Sequence, residues 1–238
     1  MKIDYVSLGS TDNPEYLDYW PIVSKVWYKK FNIIPVLGLI TNEDSDFEKT
    51  EYGIIKKFKK PENEDAGLCS QLVRLYLPKF LNGNVLVSDI DMMPLSTKYF
   101  VDDIEQFDEN KMIVFSSHNE QTNGSNQYPM CYVASSSKTY SEIFDYSLNF
   151  ENFISSIEHM GWQTDQFFLY KQINLLEKNR IEFPRRVWGH QCARIDRGNW
   201  KYDENLLREG YYIDSHLLRP YLPNKQEIDK IANIILND

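Results

Sequence analysis

No run of this chain approaches the ~18 consecutive apolar residues that a membrane-spanning helix needs, so a transmembrane protein is not expected. A leader-type apolar segment is also missing: a strand pattern begins at once and carries the acidic Asp4. Cysteine is scarce. Cys69, Cys131 and Cys192 stand alone with no Cys-x-x-Cys pair, which disfavours a zinc ribbon or a disulfide framework. They point instead to a reducing compartment, and the expected location is cytoplasmic. Basic charge is in deficit, with 26 Lys and Arg against 35 Asp and Glu, which disfavours nucleic-acid binding through a basic surface. Arginine is nearly absent from the first three quarters, where Arg74 stands alone before Arg180, Arg185, Arg186, Arg194, Arg197, Arg208 and Arg219. Since the guanidinium fork suits phosphate, the C-terminal part can take an anionic ligand; solvated surface arginines are the plainer reading for most of them. No repeat, low-complexity linker or domain boundary is visible, and 238 residues read as one domain.

Aromatic residues, by contrast, are plentiful at 14%, including 16 Tyr and 5 Trp. They suit a core or flat faces for stacking sugars. The most telling stretch is Asn84-Val85-Leu86-Val87-Ser88-Asp89-Ile90-Asp91-Met92-Met93-Pro94. Its apolar run reads as a strand buried on both faces. If the extended conformation persists, Asp89 and Asp91 point to the same side. Adjacent carboxylates at the end of a buried strand repel and are costly to desolvate, and a hard divalent cation, Mg²⁺ or Mn²⁺, relieves both problems.

Strand, helix and strand alternate through the first ninety residues, the pattern of a mainly parallel α/β sheet flanked by helices. Strands are predicted at Lys2–Leu8, Asn32–Ile40 and Tyr52–Phe58, with helices at Glu15–Lys30 and Ala66–Phe80. The turn after the first strand, with Ser7, Gly9, Ser10 and Thr11, is small and hydroxylated, a usual seat for a nucleotide. Arg74, inside an apolar helix, is either snorkelling to solvent or answering a buried anion. Beyond Pro94 come strands at Lys111–Ser116 and Met130–Ser135, joined by a polar segment with His118, Asn119, Gln121, Asn123, Asn126 and Gln127. Helices are expected at Ser136–Phe150, Phe153–Met160 and Phe167–Lys178, the last preceded by Thr164 as an N-cap. Arg180 to Asp214 reads as short strands and turns, and Lys225–Asn237 as a closing amphipathic helix.

Taken together, these residues resemble a GT-A (Rossmann-like) glycosyltransferase, most closely the small glycogenin-type enzymes and the compact single-domain transferases of large algal viruses. The resemblance rests on the hydroxyl-rich first turn, the Arg-bearing helix ending Leu75-Tyr76-Leu77-Pro78 and the strand into Asp89-Ile90-Asp91. Trp162-Gln163-Thr164-Asp165-Gln166 and His216-Leu217-Leu218-Arg219-Pro220 complete it. It implies a single domain over 1–238, with 1–94 binding the nucleotide sugar and 95–238 binding the acceptor and completing the metal and diphosphate site. It implies a donor that is a nucleotide-diphosphate sugar, a UDP-sugar first, and an acceptor hydroxyl on a glycan or other molecule. Asp91, Asp89 and His216 correspond to the metal ligands, with Asp89 and the Ile90 backbone also holding the ribose. Arg219 corresponds to the basic residue on the diphosphate, although His-x-x-Arg-Pro is shorter than the family's His-x-x-Gly-x-x-Lys-Pro. Ser7, Gly9, Ser10, Thr11 and Arg74 complete the donor set. Asp165 corresponds to the family's acidic catalytic-site residue facing the anomeric carbon and the acceptor: a base in an inverting enzyme, an orienting or charge-stabilising group in a retaining one, with a lean to retention. An aspartate in the first turn of a helix also suits the helix dipole with no catalytic role. Trp162, Trp188 and Trp200 are read as core residues before acceptor-stacking ones, and His190 has no assignment.

Two other classes compete. Haloacid-dehalogenase-like phosphatases also follow a buried strand with Asp-x-Asp, but nearer the N-terminus and without Met93-Pro94 after it. Against a non-catalytic sugar-nucleotide or carbohydrate-binding protein stands the presence of Asp89, Asp91, Asp165 and His216 together. Sugar-nucleotide pyrophosphorylases would carry a glycine-rich signature after strand one, which is absent here.

Overall fold

Pro14, Pro21 and Pro78 decide where the first half of the chain breaks. In the computed structural model, which describes residues 1–115, 126–175, 179–183 and 194–237, β1 (Tyr5–Thr11) runs three residues later than predicted. The helix expected over Glu15–Lys30 is two: α1 (Pro14–Leu17), capped by the Asn13 side chain, and α2 (Trp20–Phe31), with Pro21 in its first turn. Proline lacks the N–H that a helix interior requires but fits a first turn, so the chain restarts there. β2 (Ile34–Thr41), β3 (Glu48–Lys49) and β4 (Ile54–Lys59) follow. Pro35 is tolerated because the β2–β4 pairing starts only at Val36. The Asp65 carboxylate caps α3 (Ala66–Tyr76), and Pro78 turns its end into a 3₁₀ segment over Leu77–Phe80.

β5 (Asn84–Ser88) is buried throughout, yet it stops before the aspartates. The extended strand expected to carry both carboxylates is instead a turn at Asp89–Asp91, closed by the Met92 N–H donating to the Asp89 carbonyl (3.2 Å). β6 (Met92–Pro94) then joins another sheet. Next come α4 (Thr97–Phe100), β7 (Met112–Phe115), β8 (Tyr132–Ser136), α5 (Ser137–Ile143) and α6 (Phe150–Ser155). The helix expected over Ser136–Phe150 is thus split, because Asn149 caps a new start by accepting from the Asn152 N–H; α6 also ends short of Met160. The chain continues through α7 (Thr164–Asn174), β9 (Arg180–Phe183), β10 (Arg194–Asp196), α8 (Glu204–Arg208), β11 (Asp214–His216) and α9 (Tyr221–Asn237). Helix α8, capped by Asp203, lies where only strands and turns were expected.

Among the described residues the main sheet has eight strands, in the order β3-β4-β2-β1-β5-β8-β7-β9. β4, β2, β1 and β5 are mutually parallel, as is β7 with β9, and β8 runs antiparallel to both its neighbours. Alternation along the strands divides the core in two. Leu86 of β5 and Leu8 of β1 face one cluster with Val23 and Trp27 of α2 and Ile228 and Ile231 of α9. Val85 and Val87 face the other, with Leu72 and Val73 of α3, Phe153 of α6 and Leu169 of α7. Both faces being covered, the strands read as continuous apolar runs. A second, three-stranded sheet, β10-β11-β6, stands beside the carboxyl end of β5.

Candidate donor-binding site

In an open α/β sheet the crevice lies beyond the carboxyl ends of the parallel strands. A cavity of about 630 Å³ opens there, lined by Gly9–Thr11 at the carboxyl end of β1 (strand where a turn was expected), by α3, by Asp89–Asp91, by Trp162, Asp165 and Gln166, and by Arg197, His216 and Arg219. Its size is within the range of small-ligand sites. Gly9 and Gly38 face each other across β1 and β2, and both lie against α3. A Cβ on Gly9 would come within 2.0 Å of the Ser70 carbonyl oxygen, so only glycine lets this helix sit so close. The Ser7 hydroxyl, fully buried, donates to the Arg74 carbonyl (2.7 Å). Ser7 therefore seats α3 and does not line the cavity.

Arg74 is buried and its surroundings answer the question the sequence left open: it serves internal anions. One guanidinium nitrogen bonds Asp89 closely and reaches the Ser88 carbonyl (3.3 Å), and the other donates to Asp165 Oδ2 (2.6 Å). Nε donates to the Gln71 carbonyl (3.0 Å). Asp165 Oδ1 accepts from the Gln166 N–H (2.8 Å), so both its oxygens are engaged. Two carboxylates share one cation. Burial pushes the Asp165 carboxyl above the ordinary range, Asp89 adds to the push, and Arg74 opposes it. A raised folded-state value means that Asp165 contributes stability below the ordinary carboxylate pKa and loses it as pH rises through the folded value. The melting temperature of wild type minus that of Asp165→Asn is therefore expected to fall as pH rises from about 4 towards neutrality. A difference constant across that window, by thermal melts, would contradict the shift.

The small sheet builds the other half. In its register Arg194 neighbours Asp214 and Asp196 neighbours His216, while His216 opposes Met92. This brings His216 next to Asp91, with its Nε2 3.5 Å from Asp91 Oδ2. His216 Nδ1 faces Asp196 Oδ2 at 3.4 Å, and Asp196 Oδ1 accepts from the Gly198 N–H (2.8 Å). Arg197 donates to Asp91 Oδ2 (2.8 Å). Burial alone would push the Asp91 carboxyl up, but His216 and Arg197 together hold it below the usual carboxylate range. Beneath them Arg194 grips the fully buried Asp214 with two bonds of 2.8 and 2.6 Å.

Among the described residues, no three acidic, histidine or cysteine side chains gather into a metal-holding group. Asp89 is turned to Arg74. Asp91 and His216 do fit a shared cation: donors at about 2.1 Å from a metal lie roughly 3.0–3.5 Å from each other, close to their 3.5 Å separation. A carboxylate behind the other ring nitrogen is also what a metal-ligating histidine usually has.

The remaining expected residues fall as follows. Ser10, Thr11 and Ile90 line the cavity; Arg219 lines its mouth, stacked over the Tyr16 ring at 5.2 Å, with its Nε 3.6 Å from Glu15. Thr164 is not an N-cap: it starts α7, and its hydroxyl accepts from the Met160 N–H and donates to the Gly161 carbonyl, both at 2.8 Å. Trp162 is not core but 72% exposed at the cavity, whereas Trp200 is half-buried against the core. His118, Asn119, Gln121, Asn123, Arg185, Arg186, Trp188, His190 and Cys192 lie outside the described residues. Asp196 and Gln71 carry no sequence signal for the site; the C-terminal concentration of arginine includes Arg197 but does not give its partner.

No protein-family model matches the chain, and no curated protein matches it in sequence. Its fold is shared with solved glycosyltransferases. The apo WbbM bifunctional glycosyltransferase is similar at a TM-score of 0.51, with 12% identity over 97% of this chain and 52% of that one. The glycosyltransferase GlyE of Streptococcus pneumoniae TIGR4 is similar at 0.52, with 12% identity over 100% of this chain and 63% of that one. A fainter likeness, TM-score 0.44 and 10% identity over 79% of this chain and 66% of that one, is to a variant of Drosophila β-1,4-galactosyltransferase 7 solved with manganese, UDP-galactose and xylobiose. The chain spans just over half of WbbM and under two thirds of GlyE. Its architecture is the GT-A-type glycosyltransferase fold. No helix among the described residues is long and apolar enough to cross a membrane.

Proposed function

We propose that this chain transfers a sugar from a nucleotide-diphosphate sugar, a UDP-sugar in the first instance, to a hydroxyl of a glycan or other acceptor. The observation that carries the reading is the convergence of Asp89, Asp91, His216, Arg74 and Arg219 on one cavity at the carboxyl end of β5, in a glycosyltransferase fold. Gly9, Ser10 and Thr11 bring small residues to the wall where a nucleotide would lie. Asp91 and His216 would hold Mn²⁺ or Mg²⁺, with Asp89 turning in from Arg74 as the third ligand. The bound cation would offset the charge that builds on the departing nucleoside diphosphate. Arg219 is assigned to the diphosphate from its place at the mouth. For Asp165, the engagement of both oxygens supports an orienting and charge-stabilising role over that of a free base, and so favours retention. Trp162 offers an exposed ring on which an acceptor sugar can stack.

Thermal shift with UDP, with and without Mn²⁺, tests the reading in wild type and Asp91→Asn. At about a hundredfold excess over Kd the ligand adds ~2.7 kcal/mol, a rise of roughly 5–10 °C for a chain of this size. The rise is expected to require Mn²⁺ and to be lost in Asp91→Asn. A rise that ignores both the metal and the substitution, or sugar transfer by Asp91→Asn equal to wild type, would sink it.

A further inference from the structure

The oxygen of Asp91 that faces His216 Nε2 is also the one that accepts the Arg197 guanidinium, at 2.8 Å. A cation held between Asp91 and His216 must therefore share that oxygen with Arg197 or displace it. We propose that Arg197 is a resident counter-cation for the Asp91–His216 edge, which gives way when a divalent cation arrives with a nucleoside diphosphate and then faces the diphosphate. The inference rests on the donor-site reading above. Three observations carry it. Asp196 ends β10 and Arg197 opens the turn that follows it, so one short segment presents both the competing cation and the carboxylate behind His216. The register Asp196–His216 fixes the imidazole while leaving Nε2 towards Asp91. The Arg197 side chain is 31% exposed and lines the same cavity as Arg219, so it can swing from Asp91 to an incoming anion without unpacking the core.

The consequence is coupling. Metal alone has to break a charge-assisted hydrogen bond and leave Arg197 unpaired, whereas metal with a diphosphate supplies Arg197 with a new anion. Each ligand then raises the affinity of the other by the same factor. Removing Arg197 should weaken this coupling, leaving the part that comes from direct contact between the cation and the diphosphate.

The experiment titrates Mn²⁺ into the full chain, following the free-ion electron paramagnetic resonance signal, with and without UDP, for wild type, Arg197→Met and Arg197→Lys. Wild type is expected to bind Mn²⁺ weakly alone and more tightly with UDP. Arg197→Met is expected to bind Mn²⁺ alone at least about tenfold more tightly, the scale of one hydrogen bond to a charged group, and to show a smaller enhancement by UDP. Arg197→Lys, which keeps the charge without the fork, should stay near wild type and controls for folding. Equal Mn²⁺ affinity of wild type and Arg197→Met, with UDP still enhancing both, would overturn the proposal and leave the donor-site reading standing. No Mn²⁺ binding by any of the three, even with UDP, would overturn both.

Discussion

Arg74→Met is expected to lower the unfolding free energy by about 3–5 kcal/mol, the usual cost of removing one partner from a buried ion pair. The physical basis is the shared cation. Asp165 is almost wholly buried, and its Oδ2 has Arg74 as its bond partner, while Asp89 loses the same guanidinium. Methionine fills the volume but leaves two carboxylates near each other with their cation gone. Arg74→Lys keeps a charge but cannot fork to both, and is expected to fall between the two. Chemical denaturation at neutral pH reads the difference as a shift in midpoint. The loss should shrink as the pH is lowered and the stranded carboxylates take up protons. A midpoint unchanged by Arg74→Met would mean that the triad contributes nothing to folding.

Arg194→Met is expected to cost a similar ~3–5 kcal/mol, because Asp214 would be left fully buried without its two guanidinium bonds. Here the damage should reach the site. Arg194 and Asp214 are register neighbours two residues before Asp196 and His216, so they set the spacing of the strands that carry those side chains. Replacing both, Arg194→Met with Asp214→Leu, removes the uncompensated charge and should recover most of the stability, since an apolar pair of similar volume often substitutes for a buried ion pair. Denaturation midpoints of the single and double variants, with UDP- and Mn²⁺-dependent thermal shift beside them, separate stability from site geometry. A double variant as unstable as the single one would refute a charge-based account.

The sequence was most legible where one residue acts through its neighbours. A continuous apolar run marked β5, because a strand covered on both faces has no polar side to show. It was less legible where capping and proline compete with periodicity: Asn149 ended one predicted helix by starting another, and Pro21 restarted the one before it. Asp-x-Asp follows the buried strand β5 as read, at the cavity, but its carboxylates do not share the face that an extended strand would give them, since the chain turns at Asp89–Asp91 and Met92 leaves for a different sheet.

What the sequence determined by itself was therefore the class of fold, the strand before the aspartates, and an arginine set in a buried helix. Only the tertiary structure decided that this arginine answers anions rather than reaching solvent, and which anions they are. Asp165 lies 91 residues from Arg74, and Asp91 lies 106 residues from Arg197. No local pattern records such a pairing, because it depends on how α3 and α7 pack and on the register of β10, β11 and β6. Ser7 and Trp162 exchanged the places expected of them for the same reason: burial is settled by which element covers a side chain, and α3 covers Ser7 while Trp162 is left at the open rim.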